Sequence, residues 1–169
     1  NIELERRADT GPLRSVIKKI LTNEPGSDKD PIVAASRLDL ALYDRDLDTA
    51  TSLAAVLSQK NSLEWSFPQL GRDFWVGVVA RLKGDETSAH AAFMRARAQQ
   101  DEELRLHPDN ACLLAELGMI EAGLGRKEEA LSEGRRAMDL APIFPEVMAG
   151  KYSTEGFARM RFAMICAWA

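Results

Sequence analysis

Two cysteines and two histidines are all that 169 residues offer. So few soft ligands exclude a zinc module, which needs Cys and His at close spacing. They also exclude a disulfide-stapled secreted domain. Aromatics make up only 7%. No apolar run reaches the roughly 20 residues needed to cross a bilayer. Neither sign of charge dominates, and the formal net charge is −4. A mildly acidic chain lacks the basic stripe that supplies most phosphate-backbone affinity, so nucleic acid is not an expected partner. Val and Ile are too scattered to mark a sheet. The remainder is ordinary. Hydrophobic residues are 46% and charged residues 28%, which is too apolar for a disordered chain and sufficient for one core.

Cys112 and Cys166 fall in separate apolar helical patterns and read as small buried hydrophobes. Low cysteine use points to a reducing cytoplasm. The chain begins at Asn1 and ends inside the apolar run Phe162 to Ala169. It therefore reads as a fragment of a longer protein, with any leader segment out of view.

Almost every segment carries helical periodicity. Thr10-Gly11-Pro12 is a helix start, followed by Leu13, Val16, Ile17, Ile20 and Leu21 at helical spacing. Residues 24–28 are loop by composition. Asp30-Pro31 places an N-cap before a first-turn proline, and Ala34, Leu38, Ala41 and Leu42 then share a face. The chain breaks near 43–46, and Leu47, Ala50, Leu53, Ala54 and Leu57 mark the next helix. A loop over 61–68 holds Trp65 and Phe67, read as a cap on the core between hairpins. A helix over 69–83 ends at Gly84, and Asp85 caps a long helix that Pro108 stops. Asp109 is the expected cap of a helix with Leu113, Leu114, Leu117 and Ile120. After a turn at 123–126 come Ala130, Leu131, Ala137, Met138 and Leu140. Residues 141–151 read as loop. Ser153 or Thr154 then caps a last helix with Phe157, Met160, Ile165 and Trp168.

The helices pair, and the pairs recur. Ala50, Ala89 and Ala130 each stand five residues past a hairpin turn, at intervals of 39 and 41 residues. The last pair carries Leu114, Leu117-Gly118, Gly125, Ala130, Ala137 and Pro142. This spacing resembles the tetratricopeptide repeat, a helix–turn–helix unit. The middle pair matches at Gly77, Ala80, Gly84, Ala89, Phe93 and Ala96, but Pro108 comes 7 residues late, room for two extra helical turns. The first pair departs more. Arg37, Leu38 and Arg45 stand where the family prefers Leu, Gly and a turn glycine. The run from Gly125 to Leu131 also resembles repeat arrays carried by larger bacterial signalling proteins.

The expected fold is therefore all-α, a helix–turn–helix array of about three hairpins with terminal helices. Residues 1–30 form an N-terminal helical segment and loop. The tetratricopeptide-like repeats cover 31–60, 69–108 and 109–142. Residues 143–169 are a loop and a terminal helix, the first half of a further unit.

Chemistry-bearing patterns are few. Asp44-Arg45-Asp46-Leu47-Asp48 opens like a calcium loop, but Thr49 and Ala55 replace the required Gly and Glu, so it reads as a turn with Asp46 capping a helix. His90 and His107 have no second ligand at metal spacing. Gly123-Leu124-Gly125 lacks the third glycine of a dinucleotide fingerprint. Arg95, Arg97, Arg126, Arg135 and Arg136 read as a solvated face paired with Glu102, Glu103, Glu128, Glu129 and Glu133. No catalytic, cofactor or metal residue is expected.

The resemblance implies a peptide-binding concave groove lined by the first helix of each hairpin. Its positions fall on Phe74, Val78 and Arg81 in the middle unit, and on Ala115, Met119 and Ala122 in the last. In the first unit they fall on Ala35, Asp39 and Leu42. One subfamily clamps the C-terminal carboxylate of heat-shock chaperones with lysine and asparagine. Ala115 and Met119 offer neither, so that activity is not expected. The expected function is a non-catalytic scaffold binding a protein or peptide in this groove. The alternative is self-association as a homodimer through the apolar terminal helix.

Overall fold

The computed structural model describes residues 9–57, 70–141 and 154–169. Among them are eight α-helices, a short 3-10 turn and no strand. In chain order they are α1 (Gly11–Asn23), the 3-10 turn (Ser27–Lys29), α2 (Pro31–Tyr43), α3 (Leu47–Val56), α4 (Arg72–Leu82), α5 (Glu86–Leu106), α6 (Ala111–Gly123), α7 (Lys127–Leu140) and α8 (Thr154–Trp168). The protein is all-α, with neighbouring helices packed against one another. The helices separate into two units, α1–α3 and α4–α8. Trp65, Phe67 and Pro142 lie outside the described residues, as do the loop over 143–151 and the cap residue Ser153.

Local chemistry explains the helix starts. The Asp30 carboxylate accepts from the backbone N–H of Ile32 and Val33, and Asp46 accepts from Thr49. Asp85 accepts from Ser88. These bonds satisfy donors that the first helical turn leaves open. The expected cap Asp109 is replaced by its neighbour. Asn110 accepts from the N–H groups of Cys112 and Leu113, while the Asp109 carboxylate faces Arg136 at 3.6 Å.

Three hairpin turns share one backbone geometry. Arg45, Gly84 and Gly125 have φ of 56, 80 and 74°. In each, the following residue's N–H reaches back to a carbonyl five positions earlier: Asp46 to Ala41, Asp85 to Ala80 and Arg126 to Glu121, all at 2.9 Å. This is the left-handed helix C-terminus that glycine adopts at least cost. Ala50, Ala89 and Ala130 are fully buried five residues later. The periodicity seen in the sequence is thus a repeated turn plus a repeated small contact.

In the first unit, α2 packs against both α1 and α3. Its buried apolar residues are Ile17, Val33, Ala34, Leu38, Ala41, Ala50, Leu53 and Ala54. Arg14 reaches the Asp44 carboxylate at 2.6 Å. Val16, expected on the apolar stripe of α1, is exposed.

In the second unit, α6 is central. Every residue from Leu113 to Gly123 is buried. Apart from Glu116 and Glu121 the helix is apolar or small on every side, which belongs in an interior, and α5, α7 and α8 surround it. Close approach needs small residues. A methyl on Gly77 or on Gly123 would stand 2.8 Å from Phe93 Cε1, so two glycines clasp one ring. A methyl on Gly118 would stand 2.6 Å from Ile165 Cδ1 and 3.1 Å from the Ala130 carbonyl oxygen. Ala158 packs against Ala111 and Ala141. Hence α8 runs alongside α6 over both ends of its contact. Met138 and Leu140 are exposed rather than core.

Candidate functional site

The groove positions inferred from the resemblance separate into three kinds of surroundings. Phe74, Val78, Ala115, Met119 and Ala122 are buried. Most of these join one cluster with Phe93, Ile120 and Ile165. The terminal helix supplies part of the cover. Ile165 is fully buried, and the Trp168 ring stacks on Phe74 at 6.0 Å and 13°. Arg81 is half-buried. It donates to the Gly123 carbonyl at 2.7 Å, lies over the Phe93 ring at 5.3 Å and faces Glu86 at 3.7 Å. In the first unit Asp39 is exposed, and Ala35 and Leu42 are half-buried. Periodicity identified which positions are apolar on these first helices. It did not show that α8 would lie against them.

The arginines take partners other than those expected. Arg95 reaches Asp73 at 3.0 Å, and Gln99 donates to the same carboxylate at 3.0 Å. Arg97 meets Glu121 at 2.5 Å and Asp101 at 2.9 Å, and Arg126 adds a second contact to Glu121 at 3.3 Å. Asp73 and Glu121 are buried, so these cations neutralise interior carboxylates instead of decorating a face. Arg136 does pair with Glu133, at 3.9 Å.

A second polar cluster lies between α5, α6 and α8. The Gln100 amide donates to the Leu113 carbonyl at 2.8 Å and to Glu116 at 3.4 Å. Burial pushes the Glu116 carboxyl up to about 7, while the Arg161 charge and the Gln100 hydrogen bond pull it down. Burial likewise pushes the neighbouring Cys112 thiol up to about 11, leaving a protonated, unreactive sulfur at neutral pH. Cys166 corrects the sequence reading. It is exposed on the outer side of α8.

One open cleft adjoins a predicted groove residue. It has a volume of about 450 Å³ and is bordered by Leu70, Phe74, Ala96, Gln99, Gln100, Glu102, Glu103 and Ile120. Its origin is the unequal length of the second hairpin. At 1.5 Å per residue, α4 is about 16 Å long and α5 about 31 Å. Gly77 sits against Phe93, and Asp73 against Arg95 and Gln99. The foot of α4 is therefore met near residue 99 of α5, and the last two turns of α5 run past it. Ala96, Gln99, Gln100 and Glu103 follow helical spacing along the side that borders the cleft. Leu104 packs the overhang against Leu114 and Ala137.

The cleft was not found from the sequence, although its signal was present in the late position of Pro108. A larger cavity, about 710 Å³, opens in the first unit beside Arg37, Ser52 and Val56. Its border mixes Lys29 and Arg37 with Asp28 and Asp48, and so favours neither sign of charge. Among the described residues no group of His, Cys, Asp and Glu is placed to hold a metal. None of the helices among them is long and apolar enough to cross a membrane. The chain matches no protein-family model, no curated protein and no solved structure.

Proposed function

We propose that this chain is a non-catalytic protein-interaction scaffold built from tetratricopeptide-like hairpins. Its partner docks in the cleft at the foot of α4. The observation that carries the reading is the cleft itself, about 450 Å³ beside a polar wall from α5. A volume of this size suits a few side chains of a partner segment. The other apolar groove positions of the second unit are interior, and Arg81 is held on the Gly123 carbonyl. Low cysteine content supports a cytoplasmic setting.

The test uses Ala98→Trp. Ala98 is exposed and borders the cleft, so an indole there obstructs the mouth without touching the core. Affinity capture with mass-spectrometric readout compares this variant with the parent chain. The expected result is a partner retained by the parent and lost by the variant. An unchanged partner set rejects the cleft as the seat.

A second reading, self-association, draws on α8. Met160, Ala163, Cys166 and Ala167 give its outer side an exposed apolar stripe. Sedimentation of the parent chain and of Met160→Lys separates this reading from the first. A dimer lost only in the variant supports it.

A further inference from the structure

The first hairpin breaks the pattern of the other two at an inward position. Eight residues before the left-handed turns at Arg45, Gly84 and Gly125 stand Arg37, Val76 and Leu117. Leu117 is buried and Val76 half-buried, as a contact between helices requires. Arg37 is half-buried as well, and it borders the cavity of about 710 Å³ between α2, α3 and the 3-10 turn. Among the described residues its guanidinium makes no hydrogen bond and no ion pair. The described border is balanced in sum, but its charges are not placed alike. Asp28, Lys29 and Asp48 are exposed and screened by solvent, whereas Arg37 is set further in.

A half-buried cation without a partner costs stability, and an anion that reaches it recovers the cost. A carboxylate matches two guanidinium N–H groups at once. The facing wall suits a peptide around that carboxylate. Thr49, Ser52, Leu53 and Val56 share one side of α3 by helical spacing. The Ser52 hydroxyl donates to the Asp48 carbonyl at 3.1 Å, which leaves its oxygen to accept a peptide N–H. Val56 is 72% exposed, so an apolar side chain can reach this wall from solvent. The two rim carboxylates, Asp28 and Asp48, repel a doubly charged phosphate more than a single carboxylate.

We infer that this cavity is a second docking seat, independent of the cleft beside α4, for an acidic segment of a partner protein. An aspartate or glutamate of that segment pairs with Arg37, and an apolar neighbour in the segment covers Val56.

The probe is a random peptide library displayed on phage and selected against the full chain. Individual binders are then measured by fluorescence anisotropy on the parent and three variants. Ser52→Trp obstructs the cavity from an exposed position. Arg37→Leu removes the charge and installs the residue that the last hairpin carries there. Arg37→Lys keeps the charge and loses the fork. Circular dichroism checks that each variant folds. The expected result is a set of binders lost in Ser52→Trp and enriched in Asp and Glu. Their affinity should fall at least about 10-fold in Arg37→Leu, the size of a hydrogen bond to a charged group, and less in Arg37→Lys. It should also weaken with salt.

Binders lost in Ser52→Trp that are neutral or basic, or that bind Arg37→Leu as well as the parent, overturn the carboxylate assignment. A selection in which no binder responds to Ser52→Trp overturns the cavity as a seat. Either failure leaves the cleft beside α4 untouched, because Ala98→Trp tests that site separately.

Discussion

Arg45 holds a backbone conformation that two glycines hold elsewhere in the array. Its φ of 56° places Cβ against the following carbonyl, a strain of about 1–2 kcal/mol for a non-glycine residue. Glycine removes that strain but gives back part of the gain as unfolded-chain entropy. Arg45→Gly is therefore expected to stabilise the first unit by about 0.5–1 kcal/mol, read as a higher urea midpoint. Gly125→Ala, the reverse exchange at φ 74°, is expected to destabilise by about 1 kcal/mol. Equal midpoints for Arg45→Gly and the parent would show that the arginine side chain compensates its own backbone. Glu116 makes the second single-residue argument. Its ordinary value is 4.5, and burial raises it to about 7. The folded chain thus keeps a proton that the unfolded chain releases, so the contribution to stability is full below about 4.5 and declines up to about 7. Glu116→Gln stays neutral throughout. It is expected to flatten that decline and to raise Tm more at pH 8 than at pH 4, in thermal melts across the range. An identical pH profile would mean that Arg161 from α8 and Gln100 from α5 hold Glu116 ionised down to its ordinary value.

Helices α4 and α6 show how an element acquires its place from residues on its neighbours. Both carry a glycine against the Phe93 ring of α5. Helix α6 carries another, Gly118, where α7 and α8 converge. The obstacle at Gly118 is of two kinds. Ile165 Cδ1 is the end of a flexible side chain and can move, whereas the Ala130 carbonyl belongs to the α7 backbone and yields less. Gly118→Ala is expected to cost about 1–3 kcal/mol through overpacking. Ile165→Val, which deletes the nearer methyl, is expected to cost about 0.5–1.5 kcal/mol alone. In the double variant the two costs should sum to less than their separate values, because the shorter side chain vacates the space the new methyl needs. Chemical denaturation of all four proteins measures the coupling. Strict additivity would show that the α7 backbone, not α8, sets the limit at Gly118. The same logic of unequal neighbours made the cleft. An α5 longer than α4 by ten residues must overhang it, and only the inner side of that overhang finds a packing partner on α6 and α7.

Across the whole chain, what was legible was what local chemistry decides. Helix starts at Asp30, Asp46 and Asp85 follow from caps, and the turns at Gly84 and Gly125 follow from positive φ. The hairpin period follows from buried alanines. Long-range docking was not legible. Nothing along the sequence says that Trp168 stacks on Phe74, or that Arg97 bypasses surface glutamates for the buried Glu121. A helical pattern gives the apolar side of an element, not the element that covers it. Periodicity therefore marks Phe74, Val78, Ala115, Met119 and Ala122 as apolar without showing that they are interior. The contrast between the two units yields a last expectation. Buried side chains of the second unit include Phe74, Phe93, Leu113, Leu114, Met119, Ile120 and Ile165, whereas among the first unit's described residues five of eight buried apolar side chains are Ala or Val. Each large aliphatic or aromatic side chain buried contributes about 1.5–3 kcal/mol, and alanine far less. Local opening should follow that difference. In native-state hydrogen exchange the amides of α6 are expected to exchange only through global unfolding. Those of α2 should exchange at least on the order of tenfold faster at the same pH. Equal protection across α2 and α6 would mean that the two units open as one cooperative body, which their separate cores alone do not require.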